Sequence, residues 1–511
     1  MKNKQLAINM IANIISFMVN IGINFLFTPY LINTVGKEAY SFFPLANNFI
    51  SYTSIITVAL NSMASRFITI NIHQNKDEEV NKYFNSVLIS NTIIALILMI
   101  PSIFIVLYLN NIFDIPIEIL KEVQVLFGLI FFGTIISILS NVFGVATFAK
   151  NRLDLASRVN IESNIIKVIL LVLLFKIFRP SVSYIGIVNL VVILYITYFN
   201  IKFTKKLLPS VKLNKKFFDI KCVKELLSSG VWNSINQLSV VLLTGLDLMI
   251  ANIFIGVTAS AEYSIVKVIP NFIQSLVAIL VSVFIPQFTI LYAKNQQKDL
   301  LSSINKSIKF MGLIITIPIG FLIVFGDVFY SLWVPGQDIG KLYLLSNLTI
   351  IPMIITGTIN TIFNVYSITN KLKIPALVLL MTGVVNTLLV LALVTGTNMG
   401  ILAIPLVSFV IGIARNFIFT PIYAAKCLKV NWKTFYKSIF KGVFCAIIMI
   451  ICCFVIKRSF IINSWSKFII AGVCSSIITL VINIISILNK EERLYLVDFV
   501  KKIRPRRKEN V

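Results

Sequence analysis

Residues 260–293 read SAEYSIVKVIPNFIQSLVAILVSVFIPQFTILYA. A membrane-spanning helix needs about 20 largely apolar residues, and this run exceeds that length. Inside it stands Lys267. An ionisable side chain in hydrocarbon costs several kcal/mol, about 3 on insertion scales, so it normally faces a partner or a wet cavity and is a functional candidate. Tyr263, Lys267, Asn271 and Gln274 recur at spacings of four, four and three, which places them on one helical face. The stretch reads as a long, tilted membrane helix with one polar stripe.

The rest of the chain repeats this pattern. It has 511 residues, 58% hydrophobic and 13% charged, whereas soluble domains are roughly 25% charged. Apolar runs fall at 5–33, 41–64, 84–110, 121–149, 158–178, 183–204, 228–256, 260–293, 305–333, 342–369, 373–396, 399–425, 436–456 and 461–488. They predict an all-α polytopic membrane protein of about 14 transmembrane helices. No A-x-A-like cleavage site follows the first run, which reads as a retained helix. No P-loop, zinc spacing or nucleophile motif occurs, and the single histidine, His73, falls in a polar loop. No catalytic residue, metal site or cofactor is expected, and an enzyme is not. The six cysteines (Cys222, Cys427, Cys445, Cys452, Cys453 and Cys474) show no metal or disulfide pattern and read as small apolar residues.

Net charge is +26, and its distribution gives topology. With the N-terminus inside, only eight of the 46 Lys and Arg residues fall on the opposite side: Lys37, Lys121, Lys176, Arg179, Lys341, Lys457, Arg458 and Lys467. By the positive-inside rule both termini are cytoplasmic. The basic face then lies against anionic membrane lipids, and nucleic acid is not needed to explain the charge. The expected organisation is an N-terminal lobe at 1–204 (predicted helices 1–6), a cytoplasmic amphipathic linker helix at 205–227, a C-terminal lobe at 228–427 (helices 7–12), helices 13–14 at 428–488 and a basic cytoplasmic tail at 489–511. In the linker, Phe217, Ile220, Val223 and Leu227 mark the apolar face expected to lie on the inner headgroups.

Four ionisable residues stand inside apolar runs: Lys167, Lys267, Arg415 and Asp247. Asp247 and Lys267 lie at similar distances from a turn near residue 258, so they suit an ion pair, a gate, or a carboxylate that binds a coupling H⁺ or Na⁺. Lys167 and Arg415 suit an anion site facing the cytoplasm, which Arg66 extends, or snorkelling to headgroups. Glu162, five residues before Lys167, is within a long reach of it. Asn20 and Asn24 on helix 1, Asn61 on helix 2, Asn233 and Gln237 on helix 7, and Asn271 and Gln274 on helix 8 belong to polar stripes. These suit either interhelical hydrogen bonds or a shared wet cavity. Several prolines, among them Pro29 and Pro270, permit bending beside the stripes.

A faint repeat joins the halves. Tyr40-Ser41 is followed by Asn48-Phe49-Ile50, and Tyr263-Ser264 by Asn271-Phe272-Ile273, each after a glycine, Gly36 or Gly256. Six predicted helices separate the copies, which implies a pseudo-two-fold along the membrane normal.

Thr28-Pro29-Tyr30-Leu31 through Gly36 and Tyr40, Ala64-Ser65-Arg66-Phe67, Gly230-Val231-Trp232-Asn233 through Gln237, Asp247, and Gly256 through Tyr263 together resemble the polysaccharide (O-antigen or capsule repeat-unit) flippase branch of the multidrug/oligosaccharidyl-lipid/polysaccharide exporter superfamily. The resemblance covers nearly the whole chain. It implies two six-helix lobes in a V around a central cavity plus two C-terminal helices, in the bacterial cytoplasmic (inner) membrane. It implies alternating-access flipping of undecaprenyl-pyrophosphate-linked oligosaccharide, with polysaccharide polymerase and chain-length machinery as partners. Lys167, Lys267, Arg415 and Arg66 would meet the pyrophosphate. Asn20, Asn24, Asn61, Asn233, Gln237, Asn271 and Gln274 would meet sugar. Helices 13 and 14 would shelter the polyprenyl tail. A cation-coupled exporter of drugs or small molecules and a lipid II flippase are the alternatives. Three intramembrane cations against one acid disfavour the first, and the absence of arginine from helix 1 disfavours the second.

Overall fold

The computed structural model describes residues 2–487 and Arg493, and their regular structure is helical throughout. The principal helices are α1 (Lys2–Val35), α2 (Lys37–His73), α3 (Asp77–Leu107), α4 (Leu120–Ala149), α5 (Leu153–Ile177), α6 (Ser183–Leu207), α7 (Ile220–Gly245), α8 (Asp247–Phe254), α9 (Val257–Ala293), α10 (Gln297–Trp333), α11 (Ile339–Ile368), α12 (Lys373–Gly396), α13 (Gly400–Cys427), α14 (Trp432–Ser459) and α15 (Trp465–Ile487). Short 3-10 turns interrupt several of them, as at Asn141–Gly144 in α4.

Twelve of these helices are long and apolar enough to cross a membrane, or 13 if the bent pair α7 and α8 is one span. The count accords with the expected all-α fold of about 14 spans, with α5 not among those that pass. That helix is 25 residues long, but residues 160–177 carry three charges, Glu162, Lys167 and Lys176. Outward faces suit hydrocarbon: Ile93, Leu96, Ile97, Ile100 and Phe104 of α3 are all at least half exposed. The expected tail at 489–511 lies outside the described residues apart from Arg493.

The chain packs as two compact units. One holds the described residues up to Ile265 together with Lys373–Ile404; the other holds Val266–Leu372 and the described residues from Pro405 onward. Helix packing gives the reason that residues 228–265 and Lys373–Ile404 group with the first unit. α7 lies close along α2, where a Cβ on Gly230 would stand 2.7 Å from the Ala59 carbonyl carbon. Ser234 Oγ donates to the Ile55 carbonyl at 2.6 Å. α12 follows through Asn386 Nδ2 to Leu243 O (3.3 Å) and Thr387 Oγ1 to Leu242 O (2.8 Å). In the second unit α10 meets α14 at paired glycines, a Cβ on Gly312 falling 2.6 Å from Gly442 Cα. Small residues of this kind let helix backbones approach without a hydrophobic drive from the lipid.

No separate amphipathic helix occupies 205–227. α6 runs to Leu207, residues 208–219 are irregular, with a turn at 208–211 and a 3-10 turn at Lys215–Phe217, and α7 starts at Ile220 and continues into the apolar run. Its buried face is Cys222, Val223 and Leu226, packed on Leu60, Ala64, Val80 and Phe84. Ile220 and Leu227, expected on the apolar face, are 53% and 42% exposed. Only Val223 departs from that outward face, because it fills the core at α2 and α3.

Five helix ends share one turn. Asn75, Asn151, Asn295, Asn370 and Lys429 have φ between 53° and 56°. Each is followed by an N–H that reaches five residues back, as from Lys76 to Asn71 O (3.0 Å) and from Gln296 to Leu291 O (3.0 Å). These are Schellman turns, where asparagine tolerates the left-handed conformation. They also correct the repeat. Gly36 and Gly256 both have positive φ, at 87° and 125°, and each precedes its turn asparagine, Asn75 or Asn295, by the same interval. Tyr40 follows Gly36 by four residues while Tyr263 follows Gly256 by seven. The backbone repeat is present, but the Tyr-Ser pairing is about one helical turn out of its register.

Candidate functional site

Three of the four intramembrane charges stand where a helix is interrupted. α7 ends in a π-helical turn at Val241–Gly245, the Leu246 N–H bonds the Val241 carbonyl at 3.1 Å, and α8 begins at Asp247 after a bend of 41°. α9 is broken at Lys267, between Val257–Val266 and Val268–Ser282. Pro270 lacks the N–H that would bond Val266, so the break follows from its chemistry. α13 widens into a π-helical turn at Arg415–Phe419 just before Pro421. Such turns free carbonyls and redirect side chains, and they recur at functional sites. Lys167 is the exception and lies in continuous helix.

In the first unit, the turn after α8 pivots on Gly256. Asp114 accepts the Val257 N–H at 3.0 Å, and buried Asn252 brackets the Asp114 backbone at 2.9 and 3.2 Å. This hairpin lays the start of α9 against α8, Ser260 Oγ donating to the Leu248 carbonyl at 3.2 Å, and brings Tyr263 within electrostatic range of Asp247. Both are buried, at 3% and 5% exposure. The Tyr52 hydroxyl donates to the Gly245 carbonyl at 2.8 Å and stands within electrostatic range of Asp247. Glu262, a second buried acid at 6% exposure, escaped the sequence survey because it sits at the start of its run. Its position within an apolar stretch was the available signal.

Lys167 is half-buried, with Nζ 5.3 Å from the Phe43 ring centroid, a favourable cation–π arrangement. Glu162 does not serve it. That carboxylate accepts from Arg158 Nε at 2.7 Å and the Tyr195 hydroxyl at 2.8 Å, because Arg158 is one turn away on the same face. Arg66 is exposed on α2.

The polar stripes divide into engaged and open groups. Asn61 and Asn91 exchange side-chain hydrogen bonds at 3.0 and 3.4 Å. Asn233 donates to Ser62 Oγ at 2.9 Å, and Gln237 to the Ser51 carbonyl at 3.5 Å. These three expected sugar contacts are spent at least partly on holding α2, α3 and α7 together. Asn91 and Ser62 were not singled out in the sequence, since each looks ordinary alone. Asn20 and Asn24 are exposed on α1 and bonded to each other at 3.0 Å.

In the second unit Asn271 and Gln274 are exposed on α9, and Lys267 is half-buried. Arg415 is half-buried and donates from Nε to Asn416 Oδ1 at 3.2 Å. Asn416 in turn donates to Thr356 Oγ1 at 2.7 Å. That chain orients the guanidinium while leaving its other donors for a bidentate anion. A further pair was missed: Asp327, inside α10, takes Lys457 Nζ at 2.6 and 2.7 Å.

Residues 6–292 match the family described as polysaccharide biosynthesis protein. The membrane protein EpsK of Bacillus subtilis (strain 168), described as uncharacterized, is 30% identical over 499 residues, covering 96% of this chain and 97% of that protein. The solved lipid II flippase MurJ, in an inward closed conformation, superposes with a TM-score of 0.70 at 16% identity, over 96% of this chain and 99% of that one. An inward-facing multidrug resistance transporter, of the MATE family and MOP superfamily, superposes with a TM-score of 0.67 at 14% identity, over 83% of this chain and 98% of that one. At these identities the structural likeness shows the fold.

Proposed function

Because the chain belongs to the polysaccharide biosynthesis protein family, we propose that it flips undecaprenyl-pyrophosphate-linked oligosaccharide repeat units across the bacterial inner membrane by alternating access. The product would feed a surface polysaccharide. The observation that carries this reading is the set of half-buried cations, Lys267 and Arg415 within membrane-length apolar helices and Lys167 on α5. A pyrophosphate supplies the multiple negative oxygens that such cations recognise, and Arg415, oriented by Asn416, has the planar donor fork for two of them. The exposed carboxamides of Asn20, Asn24, Asn271 and Gln274 suit sugar hydroxyls. The buried Asp247–Tyr263 pair is the candidate coupling element. Binding of H⁺ or Na⁺ at Asp247 would alter the bend that it begins, and so bias one state over another.

Deletion of the gene, followed by extraction of polyprenyl-linked glycans, mass spectrometry and a leaflet-accessibility assay, tests the proposal. One repeat unit should build up on the cytoplasmic leaflet. Unchanged lipids with intact surface glycan would overturn it.

A further inference from the structure

The segment between α6 and α7 is gripped by side chains of α3. Asn81 donates to the Ser210 carbonyl at 3.0 Å and accepts the Lys212 N–H at 2.7 Å. Asn85, one turn on, donates to the Lys212 carbonyl at 2.9 Å and accepts the Asn214 N–H at 3.0 Å. Ser86 accepts the Asp219 N–H at 2.9 Å and donates to the Asp219 carbonyl at 3.2 Å. All three are buried. The two amides repeat at every second residue of the segment, as a neighbouring strand would. Leu208 is buried and Val211 packs on the α2–α3–α7 core. The segment is therefore a fixed strap.

Its outward groups are basic and apolar together. Lys205, Lys206, Lys212, Lys215, Lys216 and Lys221 are exposed, and none makes a salt bridge among the described residues. Local carboxylates are engaged elsewhere: Asp77 with Ser210, Glu78 and Glu79 with Lys82, Glu225 with Tyr83, and Asp219 with the Lys221 N–H. Between the lysines, Leu213, Phe218 and Ile220 are 60%, 38% and 53% exposed.

We propose that this strap docks on the anionic phospholipid headgroups of the membrane face where it stands, and that this docking fixes the start of α7. An acidic protein would satisfy the lysines but has no call for three exposed apolar side chains among them. A headgroup layer over hydrocarbon meets both. α7 begins at Ile220 and ends at the Gly245–Asp247 bend, so a lipid that holds the strap holds one end of the helix whose other end adjoins Asp247. The inference rests on membrane insertion alone, not on the identity of the transported molecule.

Hydrogen exchange of the purified protein in phosphatidylcholine nanodiscs, with and without phosphatidylglycerol, tests it. Amides of residues 215–224 should gain protection with phosphatidylglycerol and lose it in high salt. Each lysine near an anionic surface contributes roughly 1 kcal/mol, or about a fivefold change in affinity. The double variant Lys215→Gln/Lys216→Gln should therefore need roughly 25-fold more anionic lipid for the same protection. Asn85→Ala, which keeps every charge but loosens the strap, should weaken the response as well. Lys294→Gln/Lys298→Gln, elsewhere on the basic face, should leave it unchanged. Equal exchange in both lipids would overturn the proposal. So would equal protection by inorganic pyrophosphate in phosphatidylcholine, or an equal loss in the Lys294/Lys298 variant. None of these outcomes depends on transport, so failure here is distinct from failure of the flippase reading.

Discussion

Gly230 of α7 sits directly on the Ala59 backbone of α2, so that a Cβ at Gly230 would meet the Ala59 carbonyl group. Around this contact Asn233 reaches Ser62 and Ser234 reaches the Ile55 carbonyl. The contact is the reason α7 packs with the first-half helices.

Gly230→Ala should accordingly destabilise the protein. The obstacle is backbone rather than a pliable side chain, so a shift of one helix is required, at about 1–3 kcal/mol or more. Gly144→Ala, where nothing lies within 4 Å, is the matched control. Thermal unfolding in detergent should separate them by several degrees; equal midpoints would show that the helices accommodate the methyl group.

Asp247→Asn should reduce flipping at least tenfold while the protein still inserts and folds, because asparagine retains the volume and some hydrogen bonding but loses the charge. Tyr263→Phe removes only the hydroxyl within electrostatic range of Asp247 and should give a smaller loss, with an altered dependence on the ion gradient. A transport assay in vesicles with imposed H⁺ or Na⁺ gradients measures both. Wild-type rates in Asp247→Asn would remove this residue from the mechanism.

Arg415→Lys should behave more like Arg415→Gln than like wild type. The guanidinium spends Nε on Asn416 and keeps a planar fork for an anion, which an ammonium cannot reproduce. Lys-substituted and Gln-substituted strains should both accumulate lipid-linked glycan, at levels read by mass spectrometry. Full rescue by lysine would mean that charge alone suffices.

Acid should loosen the basic end of α1. The Arg152 guanidinium, at 3.0 Å, holds the Asp154 carboxyl below the usual range. Asp154 also accepts from Gln5 at 2.9 Å, and its N–H donates to Asn9 Oδ1 at 3.1 Å. A depressed carboxyl stabilises the folded state fully above the unfolded value of about 4. That contribution fades as pH falls through the lower folded value. Asp154→Asn should flatten the acid limb of a melting-temperature profile and leave the neutral region little changed relative to its own plateau.

The helical membrane fold was legible in composition and apolar run length, since a bilayer demands nothing else of a span. The intramembrane charges were legible too, because Lys167, Asp247, Lys267 and Arg415 break those runs. Gly36 and Gly256 marked real turns. The five asparagine- and lysine-capped helix ends were present in the sequence but hidden, since their common feature is a backbone conformation and their residues differ on either side.

Chain order and hydropathy determined that this is a multi-pass helical protein with cations at membrane depth. Partner choice was decided only in three dimensions. Glu162 turned to Arg158 and Tyr195 instead of Lys167, and Asn61 found Asn91. The linker became a strap because Asn81 and Asn85, more than 120 residues away in sequence, offered its backbone hydrogen bonds. Burial of apolar surface in lipid is local and readable along the chain. Hydrogen-bond pairing depends on which helices come together, and the order of residues does not state that.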